Sequence, residues 1–196
     1  MPLRAASLAS PGALPAFCSL LFLCAAGVAA AGDVSVHTTR DGEAMEVEAV
    51  ADLAVGVARA WEVLTDYGRF VEFVPDLHES RVVSREGARA TVEQKGEARF
   101  LFFSYAIEVR LAVTEFPRQR IESRAVSGNF RELRSIYTLE PRDGGVRLRY
   151  QGRLVPDFQL PLFGGWVMRN SVEATFRAMV EEIERVQKPA PVTGDR

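Results

Sequence analysis

The chain has 196 residues, 47% hydrophobic, 9% aromatic and 26% charged, with a formal net charge of −2. That length suits one domain around one core, and this balance of apolar and charged residues excludes a disordered, collagen-like or coiled-coil chain. Without a cationic excess to neutralise phosphates, a nucleic-acid partner is excluded as well.

Residues 1–31 form a separate compositional block. Arg4 is their only charged side chain, and an apolar run from Ala13 to Ala31 ends in small residues. A basic start, an apolar stretch and a small-residue cleavage site predict a secretory signal peptide, cut after Ala30 or Ala31. The alternative is a retained membrane anchor, because the run approaches the ~20 residues that span a bilayer. The AAGVAAAG ending, with no basic flank, favours cleavage and export to a bacterial periplasm. Cys18 and Cys24, the two cysteines, both fall in this block, and Leu23 is too large to precede a lipid-modified cysteine. The exported domain, residues 32–187, therefore has no disulfide and no thiol ligand or nucleophile. Residues 188–196 (KPAPVTGDR from Lys188) read as a flexible tail.

Two short alternating runs, Val34–Thr39 and Ala44–Val50, flank Asp41-Gly42 and predict a hairpin. Val57, Ala60, Trp61 and Leu64 have the spacing of an amphipathic helix, with Gly56 as its only N-cap. A second short helix is expected over Tyr67–Val74 and ends at Pro75. Six strands follow: His78–Ser84, Arg89–Arg99, Leu101–Glu115, Arg120–Ser127, Arg131–Glu140 and Val146–Val155. Their connections are too short for parallel crossovers, so neighbours must be antiparallel. Pro161 sits at a helix start, and Val172, Phe176, Met179, Val180, Ile183 and Val186 form one apolar stripe along that helix.

Alternation sorts the strand residues into faces. Ala90, Val92, Gln94 and Gly96 share the inner face with Phe103, Tyr105, Ile107, Val109, Leu111 and Val113. Ile121, Ser123 and Ala125, then Leu133, Ser135, Tyr137 and Leu139, then Val146, Leu148, Tyr150, Gly152 and Leu154 complete it. Arg89, Glu93, Lys95, Glu97, Glu108, Arg110, Glu122, Arg147, Arg149 and Arg153 face out, as a solvated lattice of opposite charges. The inner face carries three of the four tyrosines, with Gln94, Ser123 and Ser135, and its Gly96 and Gly152 are expected to leave space. Polar tips and glycines on an otherwise apolar face predict a ligand cavity between sheet and helix. The alternative is a solid core whose tyrosines reach solvent or backbone at the sheet edge.

The segment Ala58–Val83 (ARAWEVLTDYGRFVEFVPDLHESRVV) resembles the opening of the START-like polyketide cyclase/dehydrase, or SRPBCC, superfamily. Asp66 to Pro75 (DYGRFVEFVP) is similar to the pattern of its coenzyme Q-binding branch, as are Gly128 to Leu133 (GNFREL), then Tyr137, Leu139 and Pro141. The resemblance implies an α+β helix-grip fold: a curved antiparallel sheet around a long C-terminal helix, with two short helices after the first strands. It further implies a hydrophobic ligand such as a quinone, lipid or polyketide, carried in some relatives and cyclised in others.

Catalytic chemistry finds little support. His37 and His78 are the two histidines, no Gly-x-Ser-x-Gly is present, and no phosphate-binding glycine loop follows a strand. Two scattered histidines without cysteine give neither a metal site nor a cofactor site, so none is expected. Since no acidic residue falls on the inner face, a non-enzymatic carrier is favoured over a cyclase/dehydratase using cavity tyrosines. Gln94, Phe103, Tyr105, Ile107, Ser123, Tyr137, Tyr150, Trp166 and Phe176 are the expected ligand-cavity residues. The expected partner is a hydrophobic small molecule, with transient membrane contact for its exchange. An interaction protein with a solid core is a third reading.

Overall fold

A computed structural model describes residues 34–100, 103–157 and 164–185. The expected signal peptide, Leu101, Phe102, Pro161, Val186 and residues 188–196 lie outside the described residues, as does the side chain of Phe103.

Eight strands form one curved antiparallel sheet: β1 (Val34–Asp41), β2 (Ala44–Leu53), β3 (Leu77–Glu86), β4 (Arg89–Phe100), β5 (Phe103–Phe116), β6 (Arg120–Gly128), β7 (Phe130–Arg142) and β8 (Gly145–Pro156). Their order is β1-β2-β8-β7-β6-β5-β4-β3. The connection from β2 to β3 therefore joins one side of the sheet to its far edge, and the two short helices lie on that path. The first, α1 (Val57–Thr65), buries Ala60, Val63 and Leu64 and has no side-chain cap at Gly56, as the sequence predicts.

The second short helix, expected over Tyr67–Val74, covers Tyr67–Glu72 and is wound as a 3-10 helix. In that tighter winding, residues three apart stack on one side. Tyr67, Phe70 and Phe73 do so, edge to face, with ring centroids 5.6 and 5.8 Å apart. Geometry that favours this aromatic column outweighs α-helical spacing here. We label it α2.

The long helix α3 (Gly164–Glu184) packs on the inner face of the sheet with Phe176, Met179, Val180 and Ile183 buried. Its stripe meets Ala49, Ala51 and Leu53 of β2, Val92 of β4 and Val146 and Leu148 of β8 in one core cluster. The C-terminal end is fixed by cations, which complement the exposed carbonyls of a helix end. Arg59 of α1 donates to the carbonyls of Glu182 (3.0 Å) and Ile183 (3.4 Å), and Arg69 of α2 donates to the Glu182 carboxylate at 3.2 Å. Glu182 itself is buried and also meets Arg185 at 2.8 Å.

On the outer face the charges pair across strands. Arg147 grips Asp52 through two bonds of 2.7 Å, Arg149 reaches Glu140 at 2.7 Å, and Arg81 and Arg110 converge on Glu93. These pairs are solvated, so each contributes little to stability and together they keep the face soluble.

One irregularity shapes the inner face. Between β6 and β7 the ladder covers only Arg120–Arg124 against Arg134–Thr138. Beyond it the two arms part: β6 stays with β5 to Gly128, and β7 stays with β8 from Phe130. Asn129 closes the gap, its side chain accepting from the Glu108 amide at 3.1 Å and donating to the Ala106 carbonyl at 2.5 Å. Gly128 has φ +124, and a Cβ there would collide with the Glu108 carbonyl, so only glycine fits.

Candidate functional site: a cavity between sheet and helix

A cavity of about 250 Å³ lies between the sheet, α2 and α3. Its wall is mainly apolar, including Phe70 and Val74 from α2 and the turn after it, Val92 of β4, Ile107 and Leu111 of β5, and Met179 of α3. Two further concavities, lined by His37, Glu46 and Arg153 and by Glu86, Arg89 and Glu122 among others, are charged grooves of the outer lattice and lack such a wall.

Polar groups enter the apolar wall at a few points. Ser123 and Ser135 face each other across β6 and β7 with their Oγ atoms 2.6 Å apart. Ser135 is in turn hydrogen-bonded to the Tyr150 hydroxyl. Tyr137 and Tyr150 are register partners on β7 and β8, with ring centroids 4.8 Å apart. Burial pushes the Tyr150 phenol up to about 12, although the Ser135 hydrogen bond opposes the shift. Burial, then the neighbouring Tyr150, pushes Tyr137 higher still. Both phenols are neutral hydrogen-bonding groups in neutral solution. Gln94 donates to Ser80 Oγ at 3.3 Å, and Ser80 donates to the Tyr67 carbonyl at 2.6 Å.

The structure distributes the nine expected residues unevenly. Gln94, Ile107, Ser123, Tyr137 and Tyr150 line the cavity. Phe176 is buried behind it, 6.4 Å from the Tyr150 ring, where it supports the wall. Tyr105 is half-buried but stands outside the lining, near the end of β5. Trp166 is 58% exposed and borders a different pocket, beside Arg40, Met45 and Arg169. The side chain of Phe103 lies outside the described residues.

One expectation about the inner face needs correction. Gly96 and Gly152 do not simply leave space. A Cβ on Gly152 would fall 2.6 Å from the Tyr150 hydroxyl, so the glycine accommodates that phenol. At Gly96 the Asp76 carbonyl would lie 2.5 Å from a Cβ, so the glycine lets a backbone cross over β4. Glu97 borders the cavity together with Asp76 at this crossing, while its carboxylate lies on the outer side, as expected, with Arg99, Ser104 and His78. Asp76 has a left-handed φ of +58 and accepts the Glu97 amide at 2.9 Å, and β3 bulges between Leu77 and Glu79. Around these carboxylates Arg99 pairs with both, at 3.3 Å from Asp76, and Ser104 and His78 (3.0 Å) also bond Glu97. The Arg99, Ser104 and His78 contacts lower the Glu97 carboxyl to about 2.

Tyr67, Ser171 and Thr175 line the cavity without having been expected there. Tyr67 donates its hydroxyl to Glu115 at 2.9 Å. Ser171, Thr175 and Met179 are spaced four apart, one row beside the apolar stripe, and that spacing was a usable signal in the sequence. Among the described residues no cluster of His, Cys, Asp and Glu is arranged to hold a metal ion. No helix among them is long and apolar enough to cross a membrane.

Solved structures with this fold include a STAR-related lipid transfer protein from Xanthomonas axonopodis (TM-score 0.62, 13% identity, covering 80% of this chain and 100% of that one). The Zhui aromatase/cyclase from Streptomyces sp. R1128 superposes with a TM-score of 0.59 at 15% identity, covering 72% of this chain and 94% of its own. A protein from Thermus thermophilus gives 0.58 at 18%, covering 70% and 96%. At these identities the likeness establishes the fold, a START-like helix grip. A search of curated proteins gives no match. The model of one family, described as polyketide cyclase / dehydrase and lipid transport, matches residues 53–184, a span that takes in α1, α2, strands β3 to β8 and α3, and the chain belongs to that family.

Proposed function

We propose that the protein is an exported, non-enzymatic carrier that holds one hydrophobic molecule, such as a quinone, lipid or polyketide-like compound, between sheet and α3. The observation that carries this reading is the make-up of the cavity: an apolar wall interrupted by neutral hydroxyls. Such a site binds by burying apolar surface and fixes orientation with a few hydrogen bonds. Its volume of about 250 Å³ is small for a ligand site and suits a ring system or short chain, with any longer tail emerging at the mouth. Residues 1–31 supply the export signal, and transient contact with a membrane supplies the route of exchange.

A cyclase or dehydratase on the same fold would need an acid or base beside the reacting carbon. Buried neutral phenols that resist ionisation orient a carbonyl well but accept a proton poorly. The carboxylates lining the cavity among the described residues, Asp76 and Glu97, are engaged by Arg99. These features favour carriage.

The test is saturation binding followed by recovery. Purified protein lacking residues 1–31 is titrated with 1,4-naphthoquinone and with short-chain lipids, and the bound compound is extracted and weighed by mass spectrometry. A 1:1 complex that returns its ligand unchanged supports the carrier. Catalytic conversion of a bound polyketide-like ketone overturns it in favour of the enzyme.

A further inference from the structure

The charged residues in the cavity's described lining are of one sign. Among its described lining residues there is no arginine, lysine or histidine, and the charged ones, Asp76 and Glu97, are both acidic. Arg99 and His78 contact these carboxylates but are not part of the lining. The remaining polar groups of the lining are uncharged: Gln94 and hydroxyls such as Ser123, Ser135, Tyr137 and Tyr150.

A carboxylate or phosphate entering such a space loses its hydration and meets no cation in exchange, and burying an unpaired ion is prohibitive compared with burying a neutral oxygen. The charged residues bordering the cavity, Asp76 and Glu97, are themselves acidic and offer an anion no partner. A neutral carbonyl meets neither obstacle, and it finds a donor. The Ser123–Ser135 pair holds two hydroxyl protons and uses one between its own oxygens, so a proton remains to be donated. Tyr150 does not lose its proton near neutral pH, since its phenol is pushed up to about 12.

We infer that the cavity selects uncharged, carbonyl-bearing ligands and rejects anions, so that ionised fatty acids and phosphate-headed lipids are excluded from it. The inference rests on the carrier reading and narrows it to one ligand class. The lack of any cation in the described lining disfavours anions, and the hydroxyls of Ser123, Ser135 and Tyr150 are the attracting element for a carbonyl.

Two near-isosteric pairs test it at pH 7.4: 2-acetylnaphthalene against 2-naphthoate, and 2-undecanone against decanoate. Dissociation constants are measured by calorimetry on the protein lacking residues 1–31. Each ketone is expected to bind at least about tenfold more tightly than its carboxylate. Gln94→Lys, which places an ammonium in the lining, is expected to shrink or reverse the ratio. Circular dichroism confirms that the variant is folded, and the wild-type ratio decides the matter if it is not. Carboxylates that match or exceed the ketones overturn the inference and leave the carrier standing. Failure of all four compounds to bind overturns the carrier reading and the inference with it.

Discussion

Tyr137 and Tyr150 face each other directly across β7 and β8, with ring centroids 4.8 Å apart and planes tilted by 51°. Phe176 of α3 stands behind Tyr150 at 6.4 Å. This aromatic group joins helix to sheet and at the same time walls the cavity, so packing and binding depend on the same rings. The two roles separate at the hydroxyl.

Tyr150→Phe keeps the ring and removes the bond to Ser135. Stability should change by no more than about 1 kcal/mol, because both ends of a modest hydrogen bond can find other partners. Affinity for a ketone ligand should fall about tenfold, the value of one lost hydrogen bond in a dry site. Thermal melting and calorimetry on the same preparation check both halves.

Gly152→Ala tests whether the glycine is there for the phenol. Its Cβ would lie 2.6 Å from the Tyr150 hydroxyl, the far end of a side chain that can swing aside. The fold should survive with a small loss of stability, while ligand binding weakens because the hydroxyl row is displaced. Gly128→Ala is the contrasting case. There the obstacle is the Glu108 backbone and φ is +124, so the variant should lose more than about 2 kcal/mol or fail to accumulate in soluble form.

Glu182→Ala removes the buried carboxylate at the end of α3 and leaves Arg69 and Arg185 without it. Both arginines reach solvent, which limits the cost to about 1–2 kcal/mol, well below that of a fully buried pair. The melting temperature should drop by about 2–8 °C for a domain of this size. Glu182→Gln should recover part of it by retaining the amide oxygen for Arg69.

Acid should destabilise the protein, and Glu97 should account for part of the effect. Its carboxyl is depressed from 4.5 to about 2 by Arg99, Ser104 and His78. A depressed carboxyl contributes stability that is complete above the unfolded value and is lost as pH falls through the folded one. Asp52, Glu79 and Glu93 are lowered in the same direction, Asp52 by Arg147, Glu79 by Lys95 and Arg81, and Glu93 by Arg110. Urea midpoints should therefore decline from pH 4.5 towards pH 2, and Glu97→Gln should flatten that decline. An unchanged slope in the variant would show that Glu97 is uninvolved.

Much of the fold was legible because alternation is a local signal. In β5 the inward set Ile107, Val109, Leu111 and Val113 and the outward set Glu108 and Arg110 follow from parity alone, and the α3 stripe follows from helical spacing. Parity assigns a face but not a depth. Tyr105 and Ile107 share a face of β5, yet only Ile107 reaches the cavity. Asp76 and Glu97 became lining residues through a bulge and a left-handed turn, which no period reveals. The Tyr150 hydroxyl over Gly152 involves residues on one strand, but its direction is set by packing against Tyr137 and Phe176. Trp166 was expected at the cavity, but in the first turn of α3 it is exposed and borders a different pocket, a position that no sequence period reveals.

The central claim is that the cavity holds an uncharged hydrophobic molecule. Native mass spectrometry of the protein isolated from its own source, under conditions that preserve complexes, tests it most directly. A 1:1 adduct is expected, which organic solvent releases as a neutral carbonyl compound and which is diminished in Tyr150→Phe. A bound fatty acid or phospholipid would contradict the selectivity. Protein that arrives empty and then takes up neither naphthoquinone nor ketone would contradict the carrier itself.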